Sequence, residues 1–141
     1  MAISKTYGHQ DQLVCVAEIA VDADLAAGTY VLADLPFDAI ILNASLVVET
    51  AVTGMTTPTA ALQLHRAGGA YDTPVALLGA TAIDAAATTG ATNATVASSD
   101  AIRMDESVDV EVVIAGTGTA TAGRIYVVIE YTRTERAREV R

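Results

Sequence analysis

Apolar side chains recur at every second residue through most of this chain, the spacing of a strand with one buried face. SVDVEVVIA (107–115) is the cleanest case, with Val108, Val110, Val112 and Ile114 opposite Asp109 and Glu111. RIYVVIEYT (124–132) sets Ile125, Val127, Ile129 and Tyr131 on one face, and QLVCVAEIAVD (12–22) does the same with Leu13, Cys15, Ala17, Ile19 and Val21. In AIILNASLVVET (39–50) the period points Ile40, Leu42, Ala44, Leu46 and Val48 inward and Asn43, Ser45 and Glu49 outward. TAALQLHR (59–66) sets Leu62 and Leu64 against Gln63 and His65, and a short strand around Thr29–Leu32 stops at Pro36. On this pattern an acid at Val110 unfolds the domain, whereas neutralising the outward Asp109 or Glu111 costs little.

These six segments are separated by VTGMTTP, RAGGAYDTP, ATTGATNAT and GTGTATAG, all of turn-type composition. Weaker alternation occurs near 75–78, 82–86 and 100–104. ATAIDAAATTG (80–90) is Ala-rich enough to suggest a helix, but it runs quickly into Thr and Gly. The Ala/Thr/Gly stretch at 85–97 reads as an exposed loop. Many short strands with half-buried faces predict an all-β fold, an antiparallel β-sandwich of the jelly-roll kind with extended terminal segments. The expected organisation is an N-terminal arm (1–11), a sandwich domain (12–132) and an Arg-rich tail (133–141).

A chain of 141 residues can bury one core, but its material is lean: one Phe, no Trp and five Tyr. Such a core implies help from a partner subunit or surface. Charge is unevenly spread. Residues 1–132 carry four basic and fifteen acidic side chains, whereas RTERAREVR at 133–141 carries four Arg against two Glu. An acidic body argues against phosphate-backbone binding, so no nucleic acid partner is expected. The single cysteine, Cys15, cannot close an intrachain disulfide and reads as a small buried apolar residue. MAISKTYGHQDQ lacks the apolar segment of a signal peptide, and no apolar run reaches the ~20 residues of a membrane span. A soluble protein made in the cytoplasm, with no membrane partner, is the expectation.

Chemistry finds little purchase. His9 lies in a polar terminal stretch and His65 on an outward face, so no nucleophile–base–orienter set is evident. Asp22 with Asp24, and Asp105, Glu106 and Asp109, are carboxylate groups at strand ends that lack a calcium-loop spacing. GTGTATAG is followed by a strand rather than a helix, which removes the phosphate-loop reading and leaves a hairpin turn. Neither catalytic residues, cofactors nor metal ligands are expected.

The order AAGTYVLADLPFDAIILNASLVVETAV, TAALQLH, ATAIDAA and VDVEVVIAGTGTATAGRIYVVIEY resembles the capsid decoration, or cement, proteins of tailed bacteriophages, over residues 12–132. The resemblance implies a homotrimeric sandwich on the outer surface of the virion capsid, made in the host cytoplasm. There it would bridge and stabilise subunits of the major capsid protein, with residues 1–11 and 133–141 as clamps. It brings no catalytic residues, and an enzyme is not expected. Arg133, Arg136, Arg138 and Arg141 are the candidate capsid or subunit contacts, because a guanidinium fork pairs with carboxylates. A solvated terminus is the other reading of those arginines. A carbohydrate- or receptor-binding virion module is the alternative function.

Overall fold

A computed structural model describes residues 13–21, 24–36, 39–69, 71–84, 91–94 and 107–133. All regular structure among them is strand: β1 (Leu13–Val21), β2 (Leu25–Leu35), β3 (Ala39–His65), β4 (Val75–Ala82), β5 (Ala91–Ala94) and β6 (Val108–Arg133). Two of these are far longer than an ordinary strand, β3 with 27 residues and β6 with 26. They pair antiparallel along their whole length, from Ala39 against Arg133 to His65 against Asp109.

Each long strand serves two sheets. The first sheet runs β1, the C-terminal part of β6, the N-terminal part of β3, then β5, with Val16 opposite Val128, Val128 opposite Ser45, and Ser45 opposite Asn93. The second runs β2, the N-terminal part of β6, the C-terminal part of β3, then β4. Eight pairing segments in two four-stranded sheets make the all-β antiparallel sandwich anticipated from the alternation, with jelly-roll architecture. One core joins both sheets. It contains Leu35, Ile41, Leu46, Leu62 and Leu64 together with Val110, Ile114, Ile125 and Ile129, all at most 2% exposed.

The bends correct the sequence reading. VTGMTTP and GTGTATAG are not turns between strands. They are the corners at which β3 and β6 cross from sheet to sheet while staying paired, Met55 opposite Gly118 and Thr56 opposite Thr117. Their pairing shifts register four times between Val48 and Thr59, the irregularity that lets a strand change direction. Val52, Met55 and Ala120 fill the inside of the corner. Ile83 fastens it from the far side: Val52 N–H donates to its carbonyl at 2.8 Å, and its own N–H donates to Pro58 O at 3.0 Å. Gly54 (φ 92°) lets the two backbones touch, since a Cβ there would lie 2.8 Å from Thr119 O and 2.9 Å from Thr121 N.

Three smaller corrections follow. The strand near Thr29 is longer than expected, spanning Leu25–Leu35 as β2. Part of the 85–97 stretch is not loop, because Ala91–Ala94 forms β5 against Val47–Ala44. The faces of early β3 are also shifted. Pairing skips a residue between Ile41 and Asn43, so Ile41 is 1% exposed and Leu42, expected inward, is 50% exposed. A β-bulge resets the alternation there. No helix starts at 80–84, where β4 ends at Ala82. The 100–104 segment and the arm 1–11 lie outside the described residues.

Candidate interaction surface

The outer face of the first sheet carries an apolar stripe. Cross-strand rows place Val14 beside Glu130 and Asn43, Val16 beside Val128 and Ser45, and Glu18 beside Tyr126 and Val47. Val14 and Val16 are 56% and 59% exposed, high for two neighbouring valines on an edge strand. Charges bound the stripe at one end. Arg124 Nε lies 3.0 Å from Glu18 Oε1, and Arg124 Nη1 lies 3.6 Å from Glu49 Oε2. Glu18 chiefly, with Tyr126 and Glu49, holds the guanidinium above its ordinary pKa. Desolvation, followed by the charges of Glu18 and Glu49, raises the Tyr126 phenol. All three charged side chains are half exposed, so this cluster orients side chains more than it stabilises the fold.

The outer face of the second sheet holds a polar cluster that the alternation did not reveal. Glu111 points away from Val110 and Val112 as expected, yet it is only 7% exposed, which corrects its reading as a solvated residue. Gln63 Nε2 donates to its Oε2 at 2.7 Å, and His65 Nδ1 lies 3.0 Å from its Oε1. The Gln63 hydrogen bond is the largest cause of a lowered Glu111 pKa; burial opposes it, and His65 adds to it by hydrogen bond and charge. His65 is thus part of a cross-strand clamp rather than a free surface residue. The only sequence signal is a carboxylate in the middle of a valine strand. Its partners lie 48 and 46 residues away, and pairing alone identifies them.

A third feature is an apolar slot of about 230 Å³ at the open side of the sandwich, between the edge strands β1 and β2. Ile19, Leu25, Leu32, Val112 and Ile114 line it, with Glu18, Ala20 and Tyr30 at its margins. Tyr30 is fixed by donation from its hydroxyl to Ala26 O at 2.7 Å. The core strands β3 and β6 bury their inward residues almost completely, but Ile19, Leu25 and Leu32 on the edge strands are only partly buried.

Of the four candidate arginines, Arg133 is the last residue of β6, paired with Ala39, rather than the first of a tail. Arg136, Arg138 and Arg141 lie outside the described residues, as do His9, Asp22, Asp105 and Glu106. Among the described residues no three His, Cys, Asp or Glu side chains are grouped to hold a metal ion. Cys15 is partly buried against the core.

No family model and no curated protein sequence matches the chain. Among solved structures, it is similar to a chain of the capsid of Ralstonia phage GP4 at 23% identity and TM-score 0.61, covering 94% of this chain and 90% of that one. A chain of the cyanophage Pam1 capsid gives 19% and 0.59, covering 94% and 93%. A chain of the acid-stable capsid of Helicobacter pylori bacteriophage KHP30 gives 17% and 0.55, covering 89% and 90%. The chain therefore shares its fold, over 89–94% of its length, with chains of similar length from three phage capsids.

Proposed function

We propose that the chain is a structural protein of a phage virion that decorates the outer capsid surface and stabilises the shell by bridging subunits of the major capsid protein. The observation that carries this reading is coverage. The fold is matched over 89% or more of this chain and of each of the three phage-capsid chains, which supports a capsid-related structural role for a chain of this size. The surface agrees with it. The exposed valine stripe on the first sheet and the apolar slot at its edge are surfaces that assembly would bury. A homotrimer is the expected form. Arg136, Arg138 and Arg141 are the proposed tail contacts to acidic surfaces of the shell or of a sister subunit, together with Arg133 at the end of β6.

The test is co-sedimentation with phage capsids that lack the protein, followed by heating of bound and unbound shells. Saturable binding and a raised temperature of shell rupture are expected. Absence of binding at 10-fold molar excess over capsid subunits would overturn the proposal. A glycan array in parallel reads out the carbohydrate-binding alternative.

A further inference from the structure

Asp34 of β2 and Asp109 of β6 stand directly opposite each other on the outer face of the second sheet. Two carboxylates in one cross-strand row repel, a destabilising arrangement unless a cation joins them. Among the described residues neither forms a hydrogen bond or an ion pair. The polar groups beside them are committed elsewhere. Gln63 and His65 both bond Glu111, and Arg66 donates to the carbonyl and hydroxyl of Ser107. Asp34 is exposed and Asp109 half-buried, so a cation from outside the sheet reaches both.

A cationic segment starts at the same end of the molecule. Arg133 is paired with Ala39, Ala39 N–H donates to Pro36 O at 3.4 Å, and Pro36 is two residues from Asp34. Those steps put the end of β6 within about 20 Å of the carboxylate pair. TERAREVR (134–141) follows directly, with three Arg against two Glu. At about 3.3–3.6 Å per residue, Arg138 can reach about 17 Å beyond Arg133 and Arg141 about 27 Å. Length, starting point and sign of charge all fit the pair.

We infer that in the free protein residues 134–141 lie across the Asp34–Asp109 end of the second sheet of their own chain, a guanidinium joining the two carboxylates, and that acidic surfaces of the shell displace them on binding. The contact within one chain stands on the body alone. The displacement rests on the shell contacts in the proposed function, and it makes the tail a self-contact that opens before it clamps.

Trypsin reads the self-contact, because cleavage after Arg136 and Arg138 follows the released fraction of the segment and intact mass records each cut. Rates are taken relative to a free peptide of residues 131–141 in the same buffer. One or two exposed charge pairs on so short a tether correspond to cleavage about 3- to 10-fold slower than in the peptide, at about 50 mM salt. Protection should vanish at about 500 mM salt and in Asp34→Asn/Asp109→Asn, whose fold circular dichroism checks. It should not change between about 5 and 200 µM protein, because the contact is intramolecular. Cleavage of the parent at the peptide's rate, or protection retained in the double variant, would overturn the inference. Protection that grows with concentration would give the carboxylates to a sister subunit's segment and overturn the contact within one chain. On shells that lack the protein, the double variant should bind more tightly by the same factor, since a partly hidden segment weakens apparent affinity by its free fraction. That gain should disappear when residues 134–141 are also deleted, and a gain that persists would overturn the displacement. Absence of shell binding by every variant removes the decoration role and the displacement together, while the trypsin result still decides the self-contact.

Discussion

Gly54 and Gly118 make a matched pair at the corner where the long strands cross. Both have φ of 92°, a region that L side chains rarely adopt. They differ in space. An added Cβ at Gly54 would lie 2.7 Å from Thr121 Oγ1, 2.8 Å from Thr119 O and 2.9 Å from Thr121 N, two of these being backbone atoms of the facing strand. At Gly118 the nearest atom would be Gly54 O at 3.6 Å, an ordinary contact. Gly118→Ala should therefore meet only the conformational cost of about 1–2 kcal/mol, offset by roughly 0.4–1 kcal/mol from the stiffer unfolded chain. Its net effect is about 1 kcal/mol, or a fall in Tm of about 3–5 °C for a chain of this length. Gly54→Ala carries the same conformational terms and must also push apart two paired strands, an overpacking cost of about 1–3 kcal/mol or more. Its Tm should fall by about 10 °C. Thermal melts at one fixed protein concentration, followed by circular dichroism, measure both. Equal shifts for the two variants would show that the backbones do not touch at this corner. The strands would then not stay paired through the bend.

Further outcomes are expected at three other places in the chain. Val110→Asp should abolish cooperative unfolding, since a side chain at 0% exposure becomes an unpaired buried carboxylate, whereas Asp109→Asn should change stability by less than about 0.5 kcal/mol in the same melts. Glu111→Gln, in contrast, should cost about 1–3 kcal/mol, because an amide NH2 would face the Gln63 donor or His65 in place of an acceptor-only carboxylate. The Glu111 pKa is lowered on folding, so its stabilisation is full above the unfolded carboxylate value of about 4.3 and is lost as pH falls through the lower folded value; Tm against pH between 2 and 6 should fall less steeply for Glu111→Gln than for the parent. Deleting residues 134–141 should leave Tm within 2–3 °C of the parent, roughly 1 kcal/mol, yet weaken capsid co-sedimentation, with the larger loss at about 50 mM salt than at 500 mM. Equal binding at both salts would remove the docking role of the arginines.

Strand content and the facing of most side chains were legible in the chain itself. Val108, Val110, Val112 and Ile114, and likewise Ile125, Val127 and Ile129, lie inside as their spacing of two requires, all at most 2% exposed. That much is local physics: the pleat alternates side chains regardless of what the strand pairs with. Val14 and Val16, on the other face of β1, are exposed by the same alternation.

Tertiary structure decided everything that depends on what lies opposite. Gly- and Thr-rich stretches have the composition of turns, but in VTGMTTP and GTGTATAG they supply positive φ and small side chains to two strands that bend together without parting. Only the pairing of β3 with β6 distinguishes a corner from a hairpin. The same pairing buries Glu111, by setting Gln63 and His65 beside it from a strand more than 40 residues away. A single unpaired residue turns Leu42 outward, against the period that surrounds it. Periodicity is a property of one strand, and it determined the faces. Register, burial of a polar group and the position of a bulge are properties of two strands in contact, and no single segment of this chain contains them.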